Sequence, residues 1–284
     1  MTYTTLIATS ALAEHLDNPD VVVVDCRFAL EDPSWGEREY AARHIRGAVY
    51  AHLDRDLSGP KNGRNGRHPL PSPDVLVHTF SGWGIDARTQ VVAYGAQTDM
   101  FPARVWWLLR WMGHDAVAVL DGGIDRWISE GRAVSSGHER RVARVFTGTP
   151  RKDMLVDAQA VAQLAGNKDW RVLDARAPER FRGDVEPIDQ AAGHIPGARN
   201  VPFKNNLDAG GSMRPATELA SALAPALGST PPSRVVCYCG SGVSACHDLL
   251  AMEHAGLHGA KLYAGSWSEW SSDPSRPVEK GAEK

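Results

Sequence analysis

One short motif occurs twice in this chain of 284 residues, and its recurrence limits the folds that the sequence can adopt. His44-Ile45-Arg46-Gly47-Ala48 in the first half matches His194-Ile195-Pro196-Gly197-Ala198 in the second. Further matched segments follow the same order: 24–27 with 173–176, 91–94 with 235–238, and 121–127 with 264–270. Two copies of one strand-and-helix unit are the simplest explanation, and the chain is long enough for each copy to bury its own core.

Each copy combines buried strands with helices, which indicates an α/β fold. Residues 21–24 are four consecutive valines, a pattern typical of a parallel strand that is buried on both faces. Residues 10–16 predict a short helix. A longer helix is predicted over 102–112, with a proline in its first turn and Gly113 after its end. Its tryptophans are interpreted as packing residues between helix and sheet.

The composition between the copies predicts the domain limits. The stretch from Ser135 to Lys152 is polar, basic and rich in turn-forming residues, as expected of a linker on the surface. We therefore predict an N-terminal domain at 1–136, a linker at 137–153 and a C-terminal catalytic domain at 154–284.

Charge and cysteine content exclude several classes of function. The net charge of −3 offers no basic surface for nucleic acid, and no apolar run reaches membrane-spanning length. The N-terminus lacks the pattern of a signal peptide, so we expect a cytoplasmic protein. Four cysteines do not form a disulfide framework. Cys237 and Cys239 resemble half a metal site without a second pair of ligands, so neither metal nor cofactor is expected.

The segment that gives the clearest indication of a reactive group surrounds Cys239. Residues 235–238 predict a strand, 239–242 a loop of small residues, and a helix is expected to begin near Val243. The glycines allow backbone N–H groups to turn inward, and the helix directs its positive end at the same point. These features favour a thiolate and predict a catalytic nucleophile. The alternative is a small buried residue at a strand end.

The spacing within this loop decides between two kinds of cysteine chemistry. A cysteine phosphatase needs an arginine six positions after the nucleophile, where this chain has Ala245. The loop therefore suits a single sulfur atom. Residues 239–245, Cys-Gly-Ser-Gly-Val-Ser-Ala, resemble the active-site loop of the rhodanese superfamily. They are more similar to its mercaptopyruvate-specific version than to its thiosulfate-specific version, which carries basic residues where Gly240 and Ser241 stand.

The matched segments extend this resemblance over nearly the whole chain. It implies tandem duplicated rhodanese-like domains, each a mostly parallel five-stranded sheet flanked by helices. Gly95 stands in the first copy where the nucleophile would be, so only the second copy is expected to carry sulfur. The loop residues expected to surround the donor are Gly240, Gly242, Val243 and Ser244.

The resemblance also implies cationic groups for the donor. Arg180 matches the family arginine that holds the donor anion, and its planar guanidinium suits a carboxylate; the alternative is a surface salt bridge. Arg176 is a second candidate for substrate binding, although its position directly after a strand favours a bracing role. Related enzymes often have another arginine near Ile188, and its absence here leaves one anion contact unaccounted for.

A proton donor is also expected, because cleavage of the C–S bond of mercaptopyruvate leaves an enolate. Ser241 occupies the family's serine position, and Asp54 and His68 resemble the aspartate and histidine that act with it. The alternatives are that Ser241 bonds its own backbone and that His68 is exposed to solvent.

The resulting hypothesis is a sulfurtransferase that moves sulfur from 3-mercaptopyruvate through a Cys239 persulfide and releases pyruvate. The expected partners are the small-molecule donor and a thiol, a thioredoxin-like protein or cyanide as acceptor. One alternative is a thiosulfate sulfurtransferase, disfavoured because Gly240 and Ser241 carry no positive charge. Another is a persulfide carrier without efficient turnover.

Overall fold

The computed structural model describes residues 2–282 and divides the chain into two compact units that interleave in sequence. The first unit comprises residues up to 59 together with 71–151 and 209–213. The second comprises 60–70, 152–208 and the residues from 214 onwards. A segment from the first half of the sequence, 60–70, therefore belongs to the same compact unit as Cys239. The limits of 1–136, 137–153 and 154–284 stay a prediction.

The first unit is built on a parallel sheet. Its strands are β1 (Leu6–Ile7), β2 (Val21–Asp25), β3 (His44–Ile45), β4 (Val49–Tyr50), β5 (Gln90–Tyr94), β6 (Val117–Leu120) and β7 (Val134–Ser135). Its helices are α1 (Thr9–His15), α2 (Trp35–Ala42), α3 (Leu53–Asp56), α4 (Pro73–Gly82), α5 (Phe101–Trp111) and α6 (Gly123–Ser129). The sheet has the order β1-β6-β5-β2-β4, and β3 pairs with β7 in a separate antiparallel ribbon.

The second unit has a sheet of the same design. Its strands are β8 (Leu155–Val156), β9 (Arg171–Asp174), β10 (Arg199–Asn200), β11 (Val235–Tyr238) and β12 (Lys261–Tyr263). Its helices are α7 (Ala158–Leu164), α8 (Pro178–Arg182), α9 (Ala216–Leu227), α10 (Ser244–His254) and α11 (Ser266–Trp270). Single 3₁₀ turns cover Lys152–Met154, Phe203–Asn206 and Pro232–Arg234. The sheet order is β10-β9-β11-β12-β8.

The two sheets agree strand for strand when the second order is reversed, and all their pairings are parallel. The predicted fold class is therefore confirmed. The helices predicted at 10–16 and 102–112 are α1 and α5, displaced by one residue. Trp106, Trp107 and Trp111 on α5 are buried, as predicted for packing residues. No helix within residues 2–282 combines the length and the apolar character needed to cross a bilayer.

The recurring His-Ile motif ties a loop to the central strand of each sheet. The N–H of Ile45 donates to the hydroxyl of Tyr94 at 3.1 Å, and the N–H of Ile195 donates to that of Tyr238 at 3.2 Å. Both tyrosines end the central strand of their sheet and are fully buried. A buried hydroxyl needs such a partner, so the motif has the same structural role in both units.

Candidate active site

The loop that carries the predicted nucleophile follows β11 and packs against the turn between β12 and α11. It runs from Cys239 to Val243 and leads directly into α10. Gly242 has a φ of +77°, and a Cβ atom there would lie 2.4 Å from the carbonyl oxygen of Ala264. Glycine accommodates both the left-handed backbone and the close approach. The predicted strand, loop and helix around Cys239 are confirmed.

Cys239 is held firmly at the base of this loop and is only 2% exposed. Its N–H donates to Oγ of Ser266 at 3.0 Å, and its carbonyl oxygen accepts the N–H of Trp267 at 2.9 Å. Its Sγ accepts a hydrogen bond from the N–H of Gly242 at 3.1 Å. An N–H aimed at sulfur stabilises negative charge that develops there during group transfer.

Two other predicted cradle residues lie where the loop becomes a helix. Val243 is the N-cap residue of α10 and Ser244 is its first residue, and both are buried. The first turn of α10 therefore begins next to the loop that holds Cys239, as the sequence predicted. The partial positive charge of a helix N-terminus stabilises negative charge that develops beside it during group transfer.

Ser241 and His68 are in direct contact. The Oγ atom of Ser241 lies 2.7 Å from Nδ1 of His68, and the two residues are 7% and 5% exposed. The alternative, in which His68 is exposed to solvent, is therefore wrong. A buried imidazole bonded to a buried hydroxyl can exchange a proton with it, and Ser241 is two residues from the nucleophile.

The segment that carries His68 is anchored to the turn before α11. The N–H of Arg67 donates to Oγ of Ser268 at 3.0 Å. At Gly66, a Cβ atom would lie 2.7 Å from the carbonyl oxygen of Gly265. These contacts lie within the second compact unit and fix the backbone at Gly66 and Arg67.

Asp54, the third predicted member of the relay, lies on α3 of the first compact unit. His52 is the N-cap residue of this helix, and its Nδ1 accepts the N–H of Asp54 at 3.2 Å. The role of Asp54 toward His68 stays a prediction.

Two arginines lie beside Gly240, the residue that follows the nucleophile. A Cβ atom on Gly240 would lie 2.7 Å from Nη2 of Arg67 and 3.6 Å from Nη1 of Arg180. A side chain at position 240 would therefore require the Arg67 guanidinium to shift. Arg180 was predicted to hold the donor anion, whereas Arg67 was not, so the structure adds a second guanidinium group beside the loop.

Two carboxylates hold these arginines. Nη2 of Arg180 donates to Glu186 at 2.6 Å and to Asp189 at 3.0 Å, and Asp189 also pairs with Arg67. The Glu186 and Asp189 side chains are each 3% exposed. Burial would raise the pKa of Glu186, but the hydrogen bond from Arg180 and the N–H groups of 188 and 189 hold it below its usual range. Glu186 is therefore ionised at neutral pH.

Arg176, which was predicted alongside Arg180, shares the Glu186 carboxylate with it at 3.4 Å but is held mainly by other groups. Its guanidinium donates to both carboxylate oxygens of Asp174 and to the carbonyl oxygen of Gly193, and it lies over the Trp267 ring. It is 4% exposed. These contacts fit the bracing role that its position after β9 suggested.

The other three cysteines occupy packing positions. Sγ of Cys246 donates to the carbonyl oxygen of Gly242 at 3.2 Å, and Sγ of Cys237 lies 3.9 Å from Sδ of Met252. Burial raises the pKa of the Cys26 and Cys237 thiols well above the usual value. Thiols that stay protonated are poor nucleophiles.

The comparison with known families agrees with the geometry of this site. A model of the rhodanese-like domain matches residues 8–130 and, a second time, residues 157–273. The chain belongs to the rhodanese-like family. The resemblance drawn from the Cys239 loop is therefore confirmed.

Rhodanese-like relatives that match nearly the whole chain carry sulfurtransferase names. A probable 3-mercaptopyruvate sulfurtransferase of Pseudomonas aeruginosa is 47% identical over 278 residues, covering 97% of this chain and 98% of that protein. A putative thiosulfate sulfurtransferase of Mycobacterium tuberculosis is 41% identical over 280 residues, covering 97% of each. These names support the predicted sulfurtransferase class.

Solved rhodanese-like structures share the fold. The 3-mercaptopyruvate sulfurtransferase of Leishmania major superposes with a TM-score of 0.83 at 29% identity, covering 94% of this chain and 74% of that one. The 3-mercaptopyruvate sulfotransferase SseA of Escherichia coli gives a TM-score of 0.79 at 27% identity, covering 94% of this chain and all of that one.

Some residues of this rhodanese-like site were missed in the sequence. Ser266, which anchors Cys239, has a φ of +54° and is the only non-glycine residue with a positive φ within 2–282. Its Oγ also donates to the carbonyl oxygen of Tyr263, so two hydrogen bonds offset the strain. The available signal was the matched position in the first copy, Gly123, with a φ of +58°. Arg67 and Asp189 gave no comparable signal.

Proposed function

We propose that this chain is a sulfurtransferase that takes sulfur from 3-mercaptopyruvate, holds it as a persulfide on Cys239 and releases pyruvate. The observation that carries the proposal is the 2.7 Å contact between Ser241 and His68, two residues from the nucleophile. Mercaptopyruvate needs a proton donor at this place, because its leaving group is a carbon anion. The names of the relatives from P. aeruginosa and L. major support the same donor.

The first half-reaction forms one S–S bond and breaks one C–S bond. The Cys239 thiolate attacks the sulfur of mercaptopyruvate, and the electron pair of the C–S bond passes to carbon to give the enolate of pyruvate. Ser241 supplies the proton that converts the enolate to pyruvate, and His68 replaces the proton on the hydroxyl. The N–H of Gly242 stabilises the charge on sulfur through its hydrogen bond.

Arg180 and Arg67 bind the donor carboxylate in this proposal. Both guanidinium groups lie within 4 Å of the space beside Gly240, and a planar guanidinium binds a carboxylate through two parallel hydrogen bonds. Arg67 thus takes the place of the second arginine that is missing at Ile188. Ile188 itself is 48% exposed.

The second half-reaction passes the outer sulfur to a nucleophile, and the cysteine leaves as a thiolate. A small thiol, a thioredoxin-like protein or cyanide are the proposed acceptors. Because a thiol acceptor requires reducing conditions, we propose the cytoplasm as the compartment. The four cysteines form no disulfide within residues 2–282, which suits this proposal.

Thiosulfate is a second candidate donor, because two guanidinium groups beside Gly240 supply the positive charge that the loop sequence lacks. The M. tuberculosis relative named for thiosulfate supports this alternative. Sulfite leaves without needing a proton, so thiosulfate would make no use of Ser241 and His68. Their contact therefore favours mercaptopyruvate.

The test is turnover combined with mass spectrometry of the intact protein. With excess mercaptopyruvate and cyanide, the enzyme should release many pyruvate molecules per chain. With mercaptopyruvate alone, it should carry one extra sulfur atom on Cys239. Cys239→Ser should lower turnover by at least ~10³-fold, the scale found when a covalent nucleophile is removed. Cys246→Ser is the matched control and should remain active. Release of a single pyruvate per chain would instead identify a carrier, and sulfur on Cys246 would overturn the assignment of Cys239.

A further inference from the structure

The Asp189 carboxylate bridges the two arginines that flank Gly240. One of its oxygens pairs with Arg67, and the other accepts a hydrogen bond from Nη2 of Arg180 at 3.0 Å. Its side chain is 3% exposed, so water does not screen these contacts effectively. Asp189 is thus already the counter-ion of both guanidinium groups that a donor anion would approach.

A tight turn fixes Asp189 in this position. The N–H groups of Ile188 and Asp189 both donate to Oε1 of Glu186, at 3.1 and 3.0 Å. Glu186 in turn accepts hydrogen bonds from Arg180, so the turn is tied to α8 at both ends. The Asp189 carboxylate is therefore held in a fixed position within the site.

The charges around Gly240 balance before any donor binds. Arg67 and Arg180 contribute two positive charges, and Glu186 and Asp189 contribute two negative charges. Arg176 also pairs with Glu186, at 3.4 Å, and its charge is balanced by Asp174 at 2.6 Å, so the larger cluster of three arginines and three carboxylates is neutral as well. Each negative charge that a donor brings is an excess charge in a poorly solvated place, and the unfavourable energy grows with the donor's charge.

We propose that Asp189 is a specificity-determining residue that makes the site prefer singly charged donors to doubly charged ones. This inference rests on the proposed function, in which Arg67 and Arg180 bind the donor anion. A carboxylate such as that of mercaptopyruvate adds one negative charge and displaces Asp189 from one arginine. Thiosulfate adds two negative charges to the same balanced cluster and is disfavoured.

The direct test removes the charge of Asp189 while keeping the shape of its side chain. Asp189→Asn should raise the ratio of kcat/KM for thiosulfate to that for mercaptopyruvate by at least ~10-fold, because the empty site then carries one net positive charge. Asp184→Asn is the matched control: Asp184 lies on the same segment, is 53% exposed and pairs with Arg182 at 2.7 Å. The control should leave the ratio unchanged. An unchanged ratio in Asp189→Asn would overturn the proposal.

A binding measurement separates this proposal from the proposed function. Sulfate and acetate, as doubly and singly charged probes, are titrated calorimetrically without turnover. Asp189→Asn should strengthen sulfate binding relative to acetate binding by at least ~10-fold, whereas Asp184→Asn should not. If the wild type fails to use mercaptopyruvate, the proposed function fails, and the titration still tests Asp189. Equal gains for both anions would contradict the role of charge.

Two further measurements apply if Asp189→Asn does not fold. Asp189→Glu keeps the negative charge and should keep the donor ratio of the wild type within about 3-fold. In the wild type, sulfate should bind no more tightly than acetate. Tighter binding of sulfate, or a donor ratio in Asp189→Glu that shifts strongly toward thiosulfate, would overturn the proposal.

Discussion

Nδ1 of His68 lies 2.7 Å from Oγ of Ser241, although 173 positions separate the two residues in the sequence. The contact exists because segment 60–70 packs with the second compact unit, where Gly66 and Arg67 meet the turn before α11. The hydroxyl of Ser241 thus has as its hydrogen-bond partner an imidazole from the first half of the sequence. This pairing gives the mercaptopyruvate reaction its proton source in our account.

His68→Gln should separate the two donors. We expect kcat for mercaptopyruvate to fall by about 10²-fold or more, the usual contribution of a positioned acid or base. The thiosulfate reaction should change much less, because sulfite departs without a proton. His258→Gln is the control, since His258 has a side chain that is 68% exposed and pairs with Glu253. Equal losses for both donors in steady-state assays would argue against a proton relay.

Arg67→Ala and Arg180→Ala should each weaken the use of mercaptopyruvate. Loss of a charged hydrogen bond worth about 1.5–3 kcal/mol corresponds to a decrease of roughly 10- to 150-fold in kcat/KM. Arg182→Ala, on the same helix as Arg180 but 41% exposed, should leave the rate near that of the wild type. If Arg67→Ala behaved like Arg182→Ala in the pyruvate assay, Arg67 would not be the second anion contact.

Gly242→Ala and Gly256→Ala compare one backbone conformation in two environments. Both glycines have a φ of +77°, but a Cβ atom at 242 would lie 2.4 Å from the carbonyl oxygen of Ala264, whereas at 256 nothing lies within 4 Å. We expect Gly256→Ala to lower the free energy of unfolding by about 1 kcal/mol, the strain of a left-handed residue. Gly242→Ala should lower the free energy of unfolding by clearly more than this and should abolish activity. If urea unfolding gave similar decreases for the two variants, the packing of the Cys239 loop described here would be contradicted.

The elements of this fold could be predicted because their signals are local. Four consecutive valines identify β2, and a proline followed by a tryptophan-rich stretch identifies α5. The recurring His-Ile motif predicted that the second sheet repeats the first, and the two sheets do have corresponding strand orders. The strand, loop and helix around Cys239 followed from an apolar run, a loop of small residues and a stretch compatible with a helix.

The anion site could not be predicted in full, because its members come from separate parts of the chain. Arg67 precedes His68 in a loop rich in glycine and arginine, and nothing local indicates that this loop packs with residues 265–268. Asp189 binds both arginines, which only the folded chain reveals.

His247 on α10 should make stability depend on pH. Burial lowers its pKa from 6.5 to about 4, and its Nδ1 lies 3.3 Å from Nδ2 of Asn206, an amide that can only donate. Between these pH values the unfolded chain binds the proton more readily, so stability present above pH 6.5 is lost as the pH falls. The resulting decrease in the free energy of unfolding approaches about 3 kcal/mol at the acidic end of this range.

The measurement is the free energy of urea unfolding across that range, compared with His247→Gln. Burial raises the pKa of the neighbouring Asp248, which acts in the opposite direction, but this residue is present in both proteins and its effect cancels in the difference. His258→Gln, at an exposed position, should follow the wild-type curve. Parallel curves for wild type and His247→Gln would show that His247 is not held neutral.

The most direct test of the account is a comparison of the two donors on one enzyme preparation. Pyruvate released from 3-mercaptopyruvate and thiocyanate formed from thiosulfate are measured side by side, with cyanide as acceptor in both assays. The account predicts that kcat/KM for mercaptopyruvate exceeds that for thiosulfate by at least ~10-fold, about 1.4 kcal/mol in transition-state binding. Equal or reversed specificity would contradict it, because the Ser241–His68 pair and the balanced charges beside Gly240 would then serve no purpose in choosing the donor.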